Sequence, residues 1–348
     1  MTIVSALDLP QTFQKPSFSI LLTTLRSLEL SPPIWNHCQR RSEAFAEQES
    51  RASLRKAEIT QYISTIIKSP LSWIEDDEQK EIIWELASKR MSERCGRTAM
   101  GELIRKWPFD GVDGAGGQEP FELVIREPAL TGDSLGFKTW GSSYVLARHL
   151  PKLRTTSLLR LFDQSLAREA PSVVELGSGT GLLGMAAAAL WKVHVSLSDL
   201  PNIMDNLKSN VMRNRDVIEE RGGGLSAGPL TWGGSEEEVD QGLFGRHHRF
   251  KIVLAADPMY DDDHPALLAS AISQQLALGA ESRAVVMVPQ RDATTVRLLY
   301  AFRKAMLDLD EPLSCVEEDE LAGQDDWVED DEGGNVRCWL GLFSRGSS

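Results

Sequence analysis

The run Glu175-Leu176-Gly177-Ser178-Gly179-Thr180-Gly181-Leu182-Leu183-Gly184 sets an acid beside glycines at alternate positions. An apolar stretch precedes it and another follows, so the spacing predicts a buried strand that turns sharply into a helix. Glycine in such a turn permits positive φ and lets a ligand approach the backbone closely. The pattern is GxGxG; the dinucleotide fingerprint GxGxxG would need its third glycine at Leu182.

A pyrophosphate sits well on a helix N-terminus, and the glycine spacing here points away from one. It suits an adenosine cofactor without phosphate, such as S-adenosylmethionine. Glu175, at the strand end, is then placed to order the cofactor's ammonium group, directly or through the loop. The next apolar run ends at Ser198-Asp199-Leu200-Pro201. An acid at the end of a second strand can accept hydrogen bonds from both ribose hydroxyls; the plainer alternative for Asp199 is a cap on the following helix. A further apolar run, Phe250 to Ala256, leads into Asp257-Pro258-Met259-Tyr260. Ligands of open α/β sheets sit beyond the carboxyl ends of the strands, which places Asp257 and Tyr260 to meet a substrate. A carboxylate there can accept a hydrogen bond from an amine, and an aromatic ring can pack beside a cation and exclude water. The plainer alternative is an ordinary strand-ending turn. Trp232, after a short strand, can stack near an adenine, and Trp140 precedes a helix just before the sheet. A tryptophan in either place is as readily explained by core packing.

These residues need a scaffold that brings strand ends together. From residue 172 apolar strands alternate with helices: strands at 173–176, 193–197, 250–256 and 284–288, helices at 182–190, 203–214, 266–278 and 293–309. That alternation predicts an α/β fold with a mostly parallel sheet. Leu313 to Glu317 and Val336 to Phe343 read as two strands with no helix between, an antiparallel terminal hairpin flanking the acidic run 317–333. Upstream, 142–150 and 156–166 read as helices, and 121–125 as a strand that forms a hairpin with 136–138. Ser42 to Ile67 and Glu75 to Trp107 carry helix formers at helical spacing, the second starting near Glu75-Asp76-Asp77-Glu78. Residues 110–119 are glycine-rich and acidic. The expected division is an N-terminal helical region over 1–110, a linker over 111–120 and the sheet domain over 121–348.

Net charge is −14 and the apolar fraction 42%. The first argues against a nucleic-acid surface, which needs a basic footprint, and is compatible with a basic protein partner. The second is ample for a core without disulfides or metal. Cys38, Cys95, Cys315 and Cys338 are far apart, with no CxxC and no histidine at zinc spacing, so reduced thiols and no metal are expected. No signal peptide or membrane span is apparent. Cytoplasmic or nuclear placement follows as an expectation, and a monomer is assumed.

Together, Trp140-Gly141, the Glu175 to Gly181 loop, Ser198-Asp199-Leu200-Pro201, Thr231-Trp232-Gly233 and Ala256-Asp257-Pro258-Met259-Tyr260 resemble the seven-β-strand protein-lysine methyltransferases, in order and spacing across 121–343. Leu86 to Ala99 is similar to the N-terminal extension of the fungal branch that methylates lysines of translation elongation factors. Arg90, Arg94 and Arg97 in it are candidates for docking, or members of a solvated helix face. The resemblance implies a Rossmann-like seven-stranded sheet and S-adenosylmethionine as cofactor. It implies cofactor contacts from Trp140, Glu175, Gly177, Ser178, Gly179, Gly181, Asp199, Leu200, Trp232 and Ala256, and a substrate-lysine contact from Asp257 and Tyr260. The acidic run 317–333 and Gly222-Gly223-Gly224 belong to none of these motifs.

Other readings remain. Asp257-Pro258-Met259-Tyr260 is similar to the DPPY motif of enzymes that methylate adenine or glutamine amides, although Met259 stands where a second proline is expected. A small-molecule acceptor, a non-catalytic docking protein that binds S-adenosylmethionine, and a nicotinamide-dependent oxidoreductase are the others; the glycine spacing disfavours the last.

Overall fold

The computed structural model describes residues 9–28, 58–92, 102–110, 119–128, 135–163, 165, 169–324 and 335–346. The chain forms two compact units, Met1–Leu103 with Pro128–Asp133, and Ile104–Glu127 with Ser134–Ser348.

In the first unit, α1 (Phe18–Ser27), α2 (58–68) and α3 (Asp77–Ser92) enclose a core of Leu21, Leu25, Ile63, Ile66, Leu71 and Ile83. Asp76 Oδ1 accepts the Glu78 amide at 2.9 Å, so the acidic run does open α3 as the sequence suggested. Arg90 does not belong to a solvated face: it is 2% exposed, and its Nε donates to the Leu25 carbonyl at 2.9 Å. Arg94, Arg97 and residues 42–57 lie outside the described residues.

The second unit carries the sheet. The helix expected through Trp107 stops at Ser92, and Leu103–Phe109 is instead a strand, β1. Arg105, Trp107 and Phe109 are buried while Ile104, Lys106 and Pro108 are less so, a period of two that the helical reading overlooked. β1 pairs with β2 (Phe121–Glu127). The hairpin expected between 121–125 and 136–138 is absent, because Leu135–Phe137 form a 3₁₀ turn. After α4 (Gly141–Thr155) and α5 (Leu159–Phe162), a single turn where a helix over 156–166 was expected, come β3 (Val173–Leu176), α6 (Leu182–Trp191), β4 (His194–Asp199), α7 (Met204–Glu220), β5 (Gly224–Pro229), α8 (Gln241–Phe244), β6 (Ile252–Ala256), α9 (His264–Gln275), β7 (Arg283–Pro289), α10 (Ala293–Leu307), β8 (Leu313–Gln324) and β9 (Asn335–Arg345).

The order is β5-β4-β3-β6-β7-β9-β8. The first five strands run parallel, and β9 lies antiparallel between β7 and β8. The chain leaves β3 toward β4 on one side and returns to β6 on the other, so the strand-order reversal sits at the β3 carboxyl end. One face is covered by α9 and α10 through Leu268, Ile272, Leu298 and Phe302 packed on Val174, Val253 and Val286. The other receives α6, whose ten residues are all buried. Small side chains bring α6 close: a Cβ on Gly184 would stand 2.1 Å from Leu197 Cδ2. Gly222-Gly223-Gly224 is the turn from α7 into β5; Gly223 passes so near the Ala188 carbonyl that a Cβ would fall 2.4 Å from its oxygen. The described part of the acidic run, residues 317–324, continues β8 along the sheet edge, with Glu318 accepting the Trp339 indole N–H at 3.1 Å. Among the described residues, no helix is long and apolar enough to cross a membrane.

One helix substitutes for a missing strand. Asn206, Asn210 and Asn214, one turn apart on α7 and all buried, present their amides to β2. Asn214 accepts the Val124 amide (2.7 Å) and donates to its carbonyl (2.9 Å). Asn210 accepts the Arg126 amide (2.8 Å) and donates to the carbonyls of Arg126 and Thr180, each at 3.1 Å. A carboxamide carries both a donor and an acceptor, as a peptide unit does, so the ladder satisfies a strand edge. Asn210→Ala should leave a buried amide and carbonyl without these partners and lower unfolding free energy by about 2–4 kcal/mol. Urea unfolding with an unchanged slope checks this; an unchanged midpoint would refute it.

Candidate active site

The loop after β3 has positive φ at Gly177 (66°), Gly179 (55°) and Gly181 (88°). This folds the backbone so that its amides turn toward the end of β4. Ser178 N–H donates to the Ser198 carbonyl (2.9 Å), and Gly179 N–H donates to Asp199 Oδ2 (2.7 Å). Asp199 Oδ1 accepts the Leu200 amide at 2.7 Å, and the Asp199 carbonyl accepts the Leu230 amide at 2.9 Å. One residue therefore ties together the loop, its own strand end and the end of β5. A carboxylate offers about four lone-pair sites, so two remain after the backbone is served. Burial pushes the Asp199 carboxyl up, against the pull of the two amides.

The other loop residues divide by direction. The Ser178 hydroxyl turns inward, accepting the Ser198 amide at 3.1 Å. Gly181 faces the core, where a Cβ would meet Leu207 Cδ1 at 2.7 Å. Gly177 faces Trp232, whose ring carbon stands 3.4 Å from where a Cβ would be. Glu175 lies behind the loop, 2% exposed, its Oε2 accepting the Gly184 amide at 3.0 Å.

A second segment braces the loop. Glu127, at the end of β2, accepts the Thr139 amide (3.2 Å), and the Thr139 hydroxyl meets that of Thr180 at 2.8 Å. Thr139 thus holds Trp140, the residue that opens α4, next to the glycine loop. Lys138 Nζ lies 4.2 Å from the centroid of the Trp140 ring.

At the end of β6, Asp257 adopts φ 55°, a left-handed conformation that aspartate tolerates better than most residues. Its amide donates to the Met287 carbonyl on β7 at 2.9 Å, and its carboxylate is gripped by Arg291. Sequence reasoning missed Arg291; its place just beyond a parallel strand adjoining β6 was the available signal. Tyr260 is exposed, its ring edge-on to His264 with centroids 4.2 Å apart, and His264 also meets Trp232 edge-on at 6.2 Å. Burial raises the Tyr260 hydroxyl pKa, with the charges of Asp199 and Asp261 adding to it. Ala256 is half-buried on the last position of β6, and Leu200 is exposed beside Asp199. The structure so brings together the ends of β3, β4 and β6, with Trp232 and Trp140 beside them.

Residues 118–301 match a family described as lysine methyltransferase. The chain is 34% identical over 265 residues to the protein-lysine N-methyltransferase EFM2 of Saccharomyces cerevisiae, covering 71% of this chain and 58% of that protein. It is 27% identical over 304 residues to the protein-lysine N-methyltransferase rrg1 of Schizosaccharomyces pombe, covering 87% of this chain and 88% of that one. Over 107 residues it is 35% identical to EEF1A lysine methyltransferase 3 of Xenopus tropicalis, or 30% of this chain and 42% of that one.

Glu175 makes the site's stability depend on pH. Burial pushes its carboxyl up to about 8 from an ordinary 4.5, opposed by hydrogen bonds from Ser178 and Gly184 and reinforced by the Asp199 charge. A folded pKa above the unfolded one means the native state holds the proton more tightly. That stabilisation is full below pH 4.5 and is lost as pH rises to about 8. Glu175→Gln keeps a carbonyl acceptor for Gly184 without the charge. Without ligand it should match wild type near pH 5 and be more stable near pH 9, by roughly a few kcal/mol. Urea midpoints at the two pH values check this; an equal offset at both would refute it.

Proposed function

This chain belongs to the lysine methyltransferase family, and on that premise we propose that it transfers the methyl group of S-adenosylmethionine to a lysine of another protein, a translation elongation factor. The observation that carries the reading is the convergence of the Gly177–Gly181 loop, Asp199 and the Asp257–Tyr260 turn at the strand-order reversal. The elongation factor is supported by the name of the Xenopus relative. Net charge −14 suits a basic partner segment. Cytoplasmic placement and a monomer complete the reading.

The donor set fits this cofactor. The loop from Glu175 to Gly184 contains no lysine or arginine to hold a phosphate. The remaining lone pairs of Asp199 can accept the two ribose hydroxyls. Trp232, whose ring carbons lie beside Gly177, offers an apolar surface for the adenine, with Leu200 beside Asp199. Gly177, Gly179 and Trp140 leave backbone approachable for the amino-acid end, and Ala256 adds a small side chain at the end of β6. Glu175, fixed to Gly184 behind the loop, sets the shape of that cradle.

The cofactor supplies a methyl group on a sulfonium, and the acceptor nitrogen uses its lone pair to form N–C as C–S breaks, the bonding pair staying on sulfur. The protein's part is alignment and exclusion of water. Asp257, rigid at the β6 end, accepts an N–H from the acceptor amine and so directs the lone pair. Tyr260 lies across the opening and covers the aliphatic stem. A free lysine has a pKa of about 10.4, so a proton must leave before attack, and desolvation between these groups promotes its loss to water.

Tritiated S-adenosylmethionine, the purified chain and a fungal cytosolic extract test the reading. A labelled elongation factor carrying methyl-lysine is expected; label on glutamine or adenine, or on no macromolecule, would overturn it. Asp199→Ala should weaken S-adenosylhomocysteine binding about tenfold or more, equal to about 1.4 kcal/mol, by calorimetry. Asp257→Ala should leave that affinity within about twofold yet cut the transfer rate about 100-fold, about 2.7 kcal/mol on the barrier; full activity would remove Asp257 from the role.

A further inference from the structure

Arg291 stands between the site and the rest of the fold in a way the reaction can use. It lies just beyond β7, the strand beside β6, and its backbone is fixed on both sides. Gln290 N–H donates to the Arg337 carbonyl at 2.7 Å, and Arg291 N–H donates to the Thr295 hydroxyl at 3.1 Å. Thr295 belongs to the capping box that Asp292 closes at the start of α10. From this anchor the guanidinium reaches Asp257 with both terminal nitrogens: Nη1 to Oδ1 at 3.0 Å, and Nη2 to Oδ2. It also lies 4.9 Å from the centroid of the Trp140 ring. The Asp257 side chain is 7% exposed and that of Arg291 20%. A planar fork on a carboxylate, with an aromatic ring beside it, is an arrangement lysine cannot reproduce.

The chemistry gives this pair a purpose beyond holding Asp257 still. A solitary carboxylate beside a lysine favours the ammonium form, because opposite charge raises an amine pKa. An ammonium has no lone pair and cannot attack. Pairing with a permanent cation offsets the Asp257 charge while leaving two carboxylate lone-pair sites for an N–H. The other charged and titratable groups around the site are Lys138, a further cation on the Trp140 ring, the Asp292 carboxylate, which accepts the Thr295 amide, and, acting on or packed against Tyr260, Asp199, Asp261 and His264. Asp199 is engaged by two backbone amides.

Resting on the reading of Asp257 as the acceptor-amine contact, we propose that Arg291 is a positioning residue which cancels the charge of Asp257, so that the substrate lysine is held as a neutral amine. The pH dependence of transfer reports this directly. Full-length wild type, Arg291→Gln and Arg291→Lys are compared from about pH 6 to about pH 10, using saturating tritiated S-adenosylmethionine and the fungal extract. S-adenosylhomocysteine affinity is measured alongside. Gln removes the charge; its acid limb should move up by about one pH unit, so transfer near pH 7 falls about tenfold and recovers near pH 10. Lys keeps the charge without the fork; its limb should stay with wild type while the plateau falls about threefold or more. Affinity should stay within about twofold in both. An acid limb for Arg291→Gln that coincides with wild type overturns the proposal, however low the rate. Wild type that labels no lysine at any pH removes the underlying reading and the proposal with it, and is distinguished by the absence of any profile.

Discussion

The amide of Gly179 donates to the carboxylate of Asp199, and the arrangement of the site follows from that bond. The loop curls through positive φ at alternate glycines, which turns its amides away from helix α6 and toward the end of β4. Buried amides need partners. The Ser198 carbonyl takes one and Asp199 takes the next, while the other Asp199 oxygen satisfies the Leu200 amide. The carboxylate is thereby locked in one orientation before any ligand arrives. Preorganisation of this kind removes an ordering cost from binding. It also explains why an acid suits this position: an asparagine could accept only through one oxygen, whereas the two amides are taken by different oxygens.

The loop's other wall is secured by a chain of polar contacts that begins far from it. The asparagine ladder of α7 fixes β2, whose last residue, Glu127, holds Thr139 against Thr180. Asn210 closes the circuit by donating to the Thr180 carbonyl itself. Every member is buried or nearly so, and a partly satisfied network in such a place would be worse than an apolar one. The arrangement gives the two-stranded β1–β2 element a definite register on the helix layer and carries that precision to Trp140. Stability and site geometry are here the same set of bonds.

How much of this was legible in the sequence depends on whether a residue's neighbours are local. The alternating strands and helices after residue 172 were readable because each buried strand is a short apolar run and each helix has its own period. The terminal hairpin was readable from the lack of a helix between two strands. β1 was not, since Leu103-Ile104-Arg105-Lys106-Trp107 mixes helix formers with a period-two burial that only β2 makes meaningful. The supposed strand at 136–138 failed for the matching reason: the edge of β2 is met by asparagine side chains, which no strand pattern announces. Gly177, Asp199 and Asp257 could be assigned to strand ends because glycine spacing and strand termini are sequence properties. Thr139 and Arg291 were invisible, as each acts on a partner more than thirty residues away through a tertiary contact.

The Asp257–Arg291 pair illustrates what such contacts cost. Burying two charges is expensive, and well-packed apolar residues of similar size often serve stability as well or better. Asp257 adds a left-handed backbone on top of this, a conformation that non-glycine residues adopt sparingly. Neither feature is needed to close the end of β6, where Met259 already packs into the core. Strain and a buried ion pair at one residue, on the rim of a strand-end cleft, are better explained by what they present to the cleft than by what they do for the fold. Under the proposed assignment they present a fixed acceptor for an N–H with its charge offset by Arg291, and a nucleophilic amine is the group that gains most from meeting a carboxylate in that form.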